Sequence, residues 1–285
     1  MINKNLTVLI ILYEEDFRLV KKCLDQLKKL KIIIIDNAND ETLKKQIIQN
    51  YKIYKYFLNK KNIGFAKAAN QGILNCDTEY MLLLGADCLI TQNDIEQLMI
   101  AKIKYKNSIF VTPTFYNSEG EYDYNGGPLY ENGAKNIILK NFGDVCVDAV
   151  LTTSVFFRID DLKNLGLFDE NFFLYFLDDD ICRRMKQLNK SIIQVFKAKA
   201  IHTHGQLKIK NKLKKIFFRN YYYDYEELYY LYKVNLHKEK FFRIKKKIPK
   251  FIFKIFLNLF FFRFEKATYY LAKSLAFKKF KKFLK

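Results

Sequence analysis

Cysteine is sparse in this chain. There are five in 285 residues, Cys23, Cys76, Cys88, Cys146 and Cys182, and none stands at metal-ligand spacing. An odd, scattered set excludes a disulfide scaffold and fits a reducing cytosol. Long apolar runs are missing as well: no uncharged stretch approaches the ~20 residues of a spanning helix. The start, Met1-Ile2-Asn3-Lys4-Asn5-Leu6, has no signal-peptide pattern, because the apolar run Val8–Leu12 is short and leads into acidic residues. No internal repeat is present. Acid is scarce in one region only. Residues 206–285 hold 23 Lys+Arg against 5 Asp+Glu, whereas residues 1–205 hold 27 against 25. A near-neutral body therefore carries a strongly basic tail, and the shift marks a boundary between 1–205 and 206–285.

Half of the residues are hydrophobic, enough for a sizeable core. The body alternates apolar runs with segments of helical period. Val8–Tyr13, Ile32–Ile35, Ile53–Leu58, Tyr80–Leu84 and Ile109–Thr112 read as buried strands. Asp16–Leu30, Asp40–Gln49, Phe65–Leu74 and Asn93–Lys104 read as helices between them. That alternation predicts an α/β fold, a parallel sheet with helices on both faces. Ligands of such sheets bind beyond the carboxyl ends of the strands. Asp36, Asn62, Gly64 and Asp87 fall there. Farther on, Asn117–Gly133 reads as loops or a hairpin, Val145–Ile159 as β-rich, Asp178–Leu188 as a helix, and Ile192–Phe196 as a strand running towards His202.

The run GLFDENFFLYFLDDDICRR, Gly166–Arg184, sets Asp178, Asp179 and Asp180 behind an aromatic wall. An apolar neighbour can raise a carboxylate's pKa and fit it for general-base work. The plainer reading is that these aspartates cap a helix and complement its dipole.

Six segments occur in one order: VLIILYEED, IIIIDNAND, NKKNIGFAKAANQGI, YMLLLGADCLI, GLFDENFFLYFLDDDICRRM and AKAIHTHG. Together they resemble glycosyltransferase family 2, closest to its rhamnosyltransferase-like branch, over residues 6–206. The resemblance implies the Rossmann-like GT-A fold, with the basic, aromatic, mainly helical extension 206–285 appended. It also implies an inverting transfer of a sugar, rhamnose being one candidate, from a nucleoside-diphosphate donor to a glycan or lipid-linked acceptor hydroxyl. Asp178 aligns with the catalytic base, although the usual preceding glutamate is Leu177. Asp36, with Tyr13 nearby, aligns with the contact to the base of the nucleotide; the alternative for Asp36 is an Asx turn. Asn62 and Gly64 align with the nucleotide-side loop, where a glycine lets the backbone approach a diphosphate. Asp87 and His202 align with the ligands of Mg²⁺ or Mn²⁺, and Gly85 stands where many relatives have a first carboxylate. Asp179, Asp180, Arg183 and His204 are possible supporting residues. The departures at Gly85 and Leu177 leave open a catalytically silent nucleotide-sugar or membrane-binding protein of the same fold.

The tail holds 23 of the 47 Phe and Tyr residues. Ile248–Phe264, with Lys245-Lys246-Lys247 ahead of it, suits a helix lying in an anionic membrane interface through 245–285. A helical subdomain packed on the body or on a second subunit is the alternative. A nucleic-acid surface is the least favoured of the three. The expected location is the cytoplasm, peripheral at the cytoplasmic face of the membrane.

Overall fold

The computed structural model describes residues 5–133, 140, 142–204 and 211–285. Two compact units divide the chain. The first comprises Met1–Asn171 and Leu177–Lys208, the second Phe172–Phe176 and Ile209–Lys285. The boundary expected at 205/206 lies outside the described residues.

The first unit opens with β1 (Leu6–Leu12), α1 (Phe17–Asp25), β2 (Lys31–Asp36), α2 (Glu41–Asn50), β3 (Lys55–Leu58), α3 (Phe65–Leu74) and β4 (Tyr80–Gly85). It continues through β5 (Cys88–Ile90), α4 (Gln92–Lys104), β6 (Ser108–Tyr116), β7 (Gly126–Gly127), β8 (Val145–Val147), β9 (Ala149–Val150) and β10 (Ser154–Arg158). It closes with α5 (Ile159–Asn164), α6 (Leu177–Gln187) and β11 (Ser191–His202). The main sheet runs β3-β2-β1-β4-β10-β6-β11-β5, with β8 added beside β11. β1 pairs in parallel with both β2 and β4, and both faces of this region are covered, so its strands are apolar throughout: Leu6, Val8, Leu9, Ile10 and Leu12 are all buried. α3 packs close on β1 at Gly72, where a β-carbon would collide with the Leu9 methyl groups.

The central sheet is mostly parallel, as expected, with antiparallel strands added to it. β10 lies antiparallel between β4 and β6, and β5 and β8 run antiparallel to β11. The β-rich stretch 145–159 is three short strands, broken at 151–153. β11 is longer than expected and carries His202 at its end. α1 is shorter than Asp16–Leu30. After Asp25 the chain tightens into i→i+3 turns (Leu27 N to Leu24 O, 3.0 Å; Leu30 N to Leu27 O, 2.9 Å) that keep Leu27 and Leu30 in the core.

The second unit has three helices, α7 (Lys212–Lys233), α8 (His237–Phe260) and α9 (Phe264–Phe283). Glu226 on α7 is fully buried and accepts three consecutive backbone N–H groups, from Phe173 (2.7 Å), Leu174 (3.1 Å) and Tyr175 (2.6 Å). Phe172 meets Tyr229 edge-on and Phe173 stacks on Tyr222. The segment Ile248–Phe264 is not one helix: α8 ends at Phe260, and the chain turns at Phe261–Arg263 before α9. No helix among the described residues is long and apolar enough to cross a membrane.

Candidate active site

Strand ends carry the first group of residues. Asp36 closes β2 and is fully buried. Its Oδ1 accepts the Ala38 N–H at 2.7 Å, an Asx turn, and its Oδ2 accepts the Tyr56 hydroxyl at 2.9 Å. Burial raises its pKa. The turn is therefore present, and it fixes the carboxylate at the strand end. Asn37 donates to the Gly64 carbonyl at 3.2 Å, and the Asn62 side chain accepts the Gly64 N–H at 2.9 Å. Gly64 has φ +88°, a conformation glycine adopts without strain, and caps α3 with no side chain over the helix start. The loops after β2 and β3 are thus tied together around a bare helix N-terminus. Asn70 inside α3 holds both the N–H and the C=O of Phe168, at 3.0 and 2.9 Å.

Tyr13 follows β1, and its N–H donates to Glu15. Glu15 is half-buried, and desolvation pushes its carboxyl up to about 7; the Tyr13 amide opposes that shift, and the charges of Asp36 and Asp87 add to it. With the folded pKa above the ordinary 4.5, the folded state binds the extra proton, so this contribution to stability is present below pH 4.5 and is lost as pH rises through about 7. Metal-free protein is expected to unfold at a lower temperature at pH 8 than at pH 5.5, and Glu15→Gln to flatten that slope. An unchanged slope in thermal melts would assign it to other groups.

Asp87 follows β4, and its Oδ2 lies 3.3 Å from Nε2 of His202 at the end of β11. Thr203 donates its N–H and its hydroxyl to the Asp87 carbonyl, at 2.9 and 2.8 Å, which locks the two strand ends together. Gly85 supplies no carboxylate of its own, and a β-carbon there would stand 2.8 Å from Asp87 Oδ1, so a side chain at this position would displace the Asp87 carboxylate. A second acid arrives from another quarter. Asp123 Oδ2 lies 3.7 Å from His202 Nδ1 and 2.8 Å from His204 Nε2, and the two imidazoles pack at 4.1 Å. His202 Nδ1 is buried and has no hydrogen-bond partner among the described residues. Asp123, His202 and His204 offer ligand atoms within 4.8 Å of one another, and with the unsatisfied ring nitrogen they fit a divalent cation with oxygen and nitrogen ligands.

The aspartate triplet opens α6. Asp178 Oδ1 accepts the Thr152 hydroxyl at 2.5 Å and the Thr152 N–H at 3.2 Å. Asp179 Oδ1 accepts the Tyr130 N–H at 3.0 Å. Asp180 is buried and paired with Arg184 (3.0 Å), whose guanidinium also donates to the Leu165 and Leu167 carbonyls. Arg183 pairs with Glu131, not with the aspartates. Thr153, next to Thr152, accepts the Gly85 N–H at 2.7 Å through its carbonyl. One dipeptide turn thus holds Asp178 on one side and the strand leading to Asp87 on the other. Glu15, Asp123 and Thr152 were not singled out from sequence. A glutamate two residues past an apolar strand was the one available signal; Asp123 and Thr152 reach the site only through long-range pairing.

A carboxylate held at a turn, a glycine loop tied at the start of α3 and an Asp–His pair all sit at strand ends of one α/β sheet, and that sheet has the GT-A fold. The chain belongs to glycosyltransferase family 2: the family model described as "Glycosyl transferase family 2" matches residues 7–164. It is a glycosyltransferase. Among named relatives it is similar to the "dTDP-rhamnosyl transferase RfbF" of Shigella flexneri, 22% identical over 215 residues, covering 73% of this chain and 72% of that one. It is also similar to "Rhamnosyltransferase WbbL" of Escherichia coli (strain K12), 26% identical over 216 residues, covering 66% and 79%. The fold is shared with GalNAc-T7 solved with UDP, GalNAc and Mn²⁺ (TM-score 0.59, 16% identity, 79% of this chain and 50% of that one). It is shared too with residues 1–349 of S. aureus TarS in complex with UDP-GlcNAc (TM-score 0.54, 14% identity, 76% and 64%). The chain thus spans half, and just under two thirds, of those two solved chains.

Proposed function

We propose that this glycosyltransferase inverts the anomeric centre while moving a rhamnose-type sugar from a nucleoside-diphosphate donor to a hydroxyl of a glycan or lipid-linked acceptor. The observation that carries the reading is the Thr152-Thr153 turn, which holds Asp178 by two hydrogen bonds and the Gly85 amide by a third. Asp178 takes the proton of the acceptor hydroxyl as its oxygen forms the new bond to the anomeric carbon. The bond from that carbon to the diphosphate oxygen breaks on the opposite face, and its electron pair leaves with the diphosphate. Tyr13, Asp36, Asn62 and Gly64 bind the nucleotide, with the bare start of α3 facing anionic oxygens. Asp87 and His202 would hold Mg²⁺ or Mn²⁺, which supplies charge neutralisation for the departing diphosphate. Asp123, 3.7 Å from the other ring nitrogen of His202 and hydrogen-bonded to His204 at 2.8 Å, brings a second carboxylate to the same site. The names of the relatives favour dTDP-rhamnose as the donor. The basic extension supports work at an anionic membrane surface, on its cytoplasmic face, through residues 245–285.

The test is thermal stabilisation by dTDP-rhamnose with and without Mn²⁺. Wild-type protein is expected to show a Mn²⁺-dependent gain. Asp87→Ala is expected to lose it and to weaken donor binding on the order of tenfold or more, since Gly85 offers no substitute carboxylate. A full Mn²⁺ response in that variant would sink the metal assignment.

A further inference from the structure

We infer that the tip of the α8–α9 hairpin enters an anionic lipid bilayer end-on, with the helices standing on the surface rather than lying in it. The inference rests on the membrane part of the function proposed above and adds which residues are embedded. α8 is held to α9 along its length: Phe241 packs on Phe277, Phe251 on Tyr270, and Lys254 donates to the Tyr270 hydroxyl at 2.9 Å. The exposed side of α8 changes chemistry along that length. Its first half presents Lys238, Lys245, Lys246 and Lys247, and Lys250 follows just past the midpoint. Its second half and the following turn present aromatic rings: Phe253 is 65% exposed, Phe256 68%, Phe260 76% and Phe262 79%. Phe261 and Phe264 are exposed as well.

A helix lying flat in an interface needs one apolar face along its whole length. Here the apolar surface gathers at one end and the cationic surface follows it. From Phe253 to Phe260 the helix rises about 10 Å, comparable to the ~5–10 Å depth of interfacial burial and far short of the ~30 Å hydrocarbon core. Lys245–Lys247 and Lys250 then stand at headgroup level, where lysine stems can reach phosphate oxygens, and Arg263 in the turn extends its stem towards the same level. A second copy of this chain is a poor occupant of the tip, because residues 206–285 hold 23 Lys+Arg against 5 Asp+Glu and two such surfaces repel.

The chain contains no tryptophan, so one introduced indole reports its own surroundings alone. Phe262→Trp marks the tip, and Phe242→Trp marks an exposed position near the other end of α8. Each full-length variant is mixed with vesicles of equal parts phosphatidylcholine and phosphatidylglycerol, with or without brominated acyl chains. Both variants should co-sediment. The Phe262→Trp emission should shift to the blue and be quenched several-fold by bromine, while Phe242→Trp keeps its aqueous emission. Phe260→Ser/Phe262→Ser should lose about tenfold in vesicle affinity with unchanged circular dichroism and unchanged donor stabilisation. Quenching of both indoles means the helix lies flat, and co-sedimentation with neither quenched means the tip stays in water; each overturns the end-on geometry while keeping membrane binding. Failure of wild-type protein to co-sediment overturns the membrane reading and this inference with it, leaving the donor assay to judge the transferase chemistry by itself.

Discussion

Asp178→Asn is expected to lower turnover by ~10²–10⁴-fold, the usual contribution of a general base, with little change in donor KM. The substitution is a clean one. The amide oxygen still accepts from the Thr152 hydroxyl and N–H, which now reach Asp178 at 2.5 and 3.2 Å, so the side chain keeps its place. It loses its charge and the capacity to take a proton. A fall in kcat without a rise in KM is the signature of an interaction made in the transition state alone. Steady-state transfer to an acceptor, with the donor varied, reads both quantities. Turnover within about tenfold of wild type would remove Asp178 from the role. Asp179 would then be examined, although its carboxylate is engaged by the Tyr130 N–H at 3.0 Å. Asp179→Ala, which removes that acceptor, is expected to loosen the turn more than it slows the chemistry.

Glu226→Ala is expected to destabilise the second unit by about 2–4 kcal/mol, since hydrogen bonds to three amides are lost together. The cradle is local: Oε1 takes the Phe173 N–H and Oε2 takes those of Leu174 and Tyr175. Glutamine does not rescue it, because its NH₂ group must face at least one of the same donors. Hydrogen exchange distinguishes this from a general loss of packing. The amides of residues 173–175 should lose protection in both variants, while α8 and α9 keep theirs. If those three amides stay protected in Glu226→Ala, backbone contacts and not the carboxylate order the segment.

The parts of the site legible in the sequence are those next to an apolar run. Ile32–Ile35 and Met81–Leu84 announce buried strands, and a carboxylate just past such a strand is readable without coordinates: Asp36 and Asp87 both end up at strand ends. The turn at Gly64 is legible for the same reason, a glycine between a strand and a helix. Asp123 was not legible. It sits in a loop-rich stretch, and its approach to His202 and His204 depends on β6 and β11 lying side by side, a pairing of segments about eighty positions apart. Thr152 falls in the three-residue break Leu151–Thr153 between short strands, too brief for any periodicity to mark. The antiparallel insertion of β10 is equally hidden, because a buried strand has the same apolar pattern in either direction. The end of α8 was misread through composition: Phe260–Phe262 has no glycine or proline to signal the turn that the chain makes there.

The second unit is discontinuous, and this bears on how the protein is made. A ribosome delivers Phe172–Phe176 long before Tyr222, Glu226 and Tyr229, which cover and cradle that segment. Until α7 emerges, five largely aromatic residues have no cover of their own and their amides no carboxylate. The nascent chain therefore passes through a window in which this aromatic segment has been made and the helix that cradles it has not. A chaperone that binds short aromatic segments would find its site there, and recombinant chains cut before α7 should be recovered mainly as aggregates.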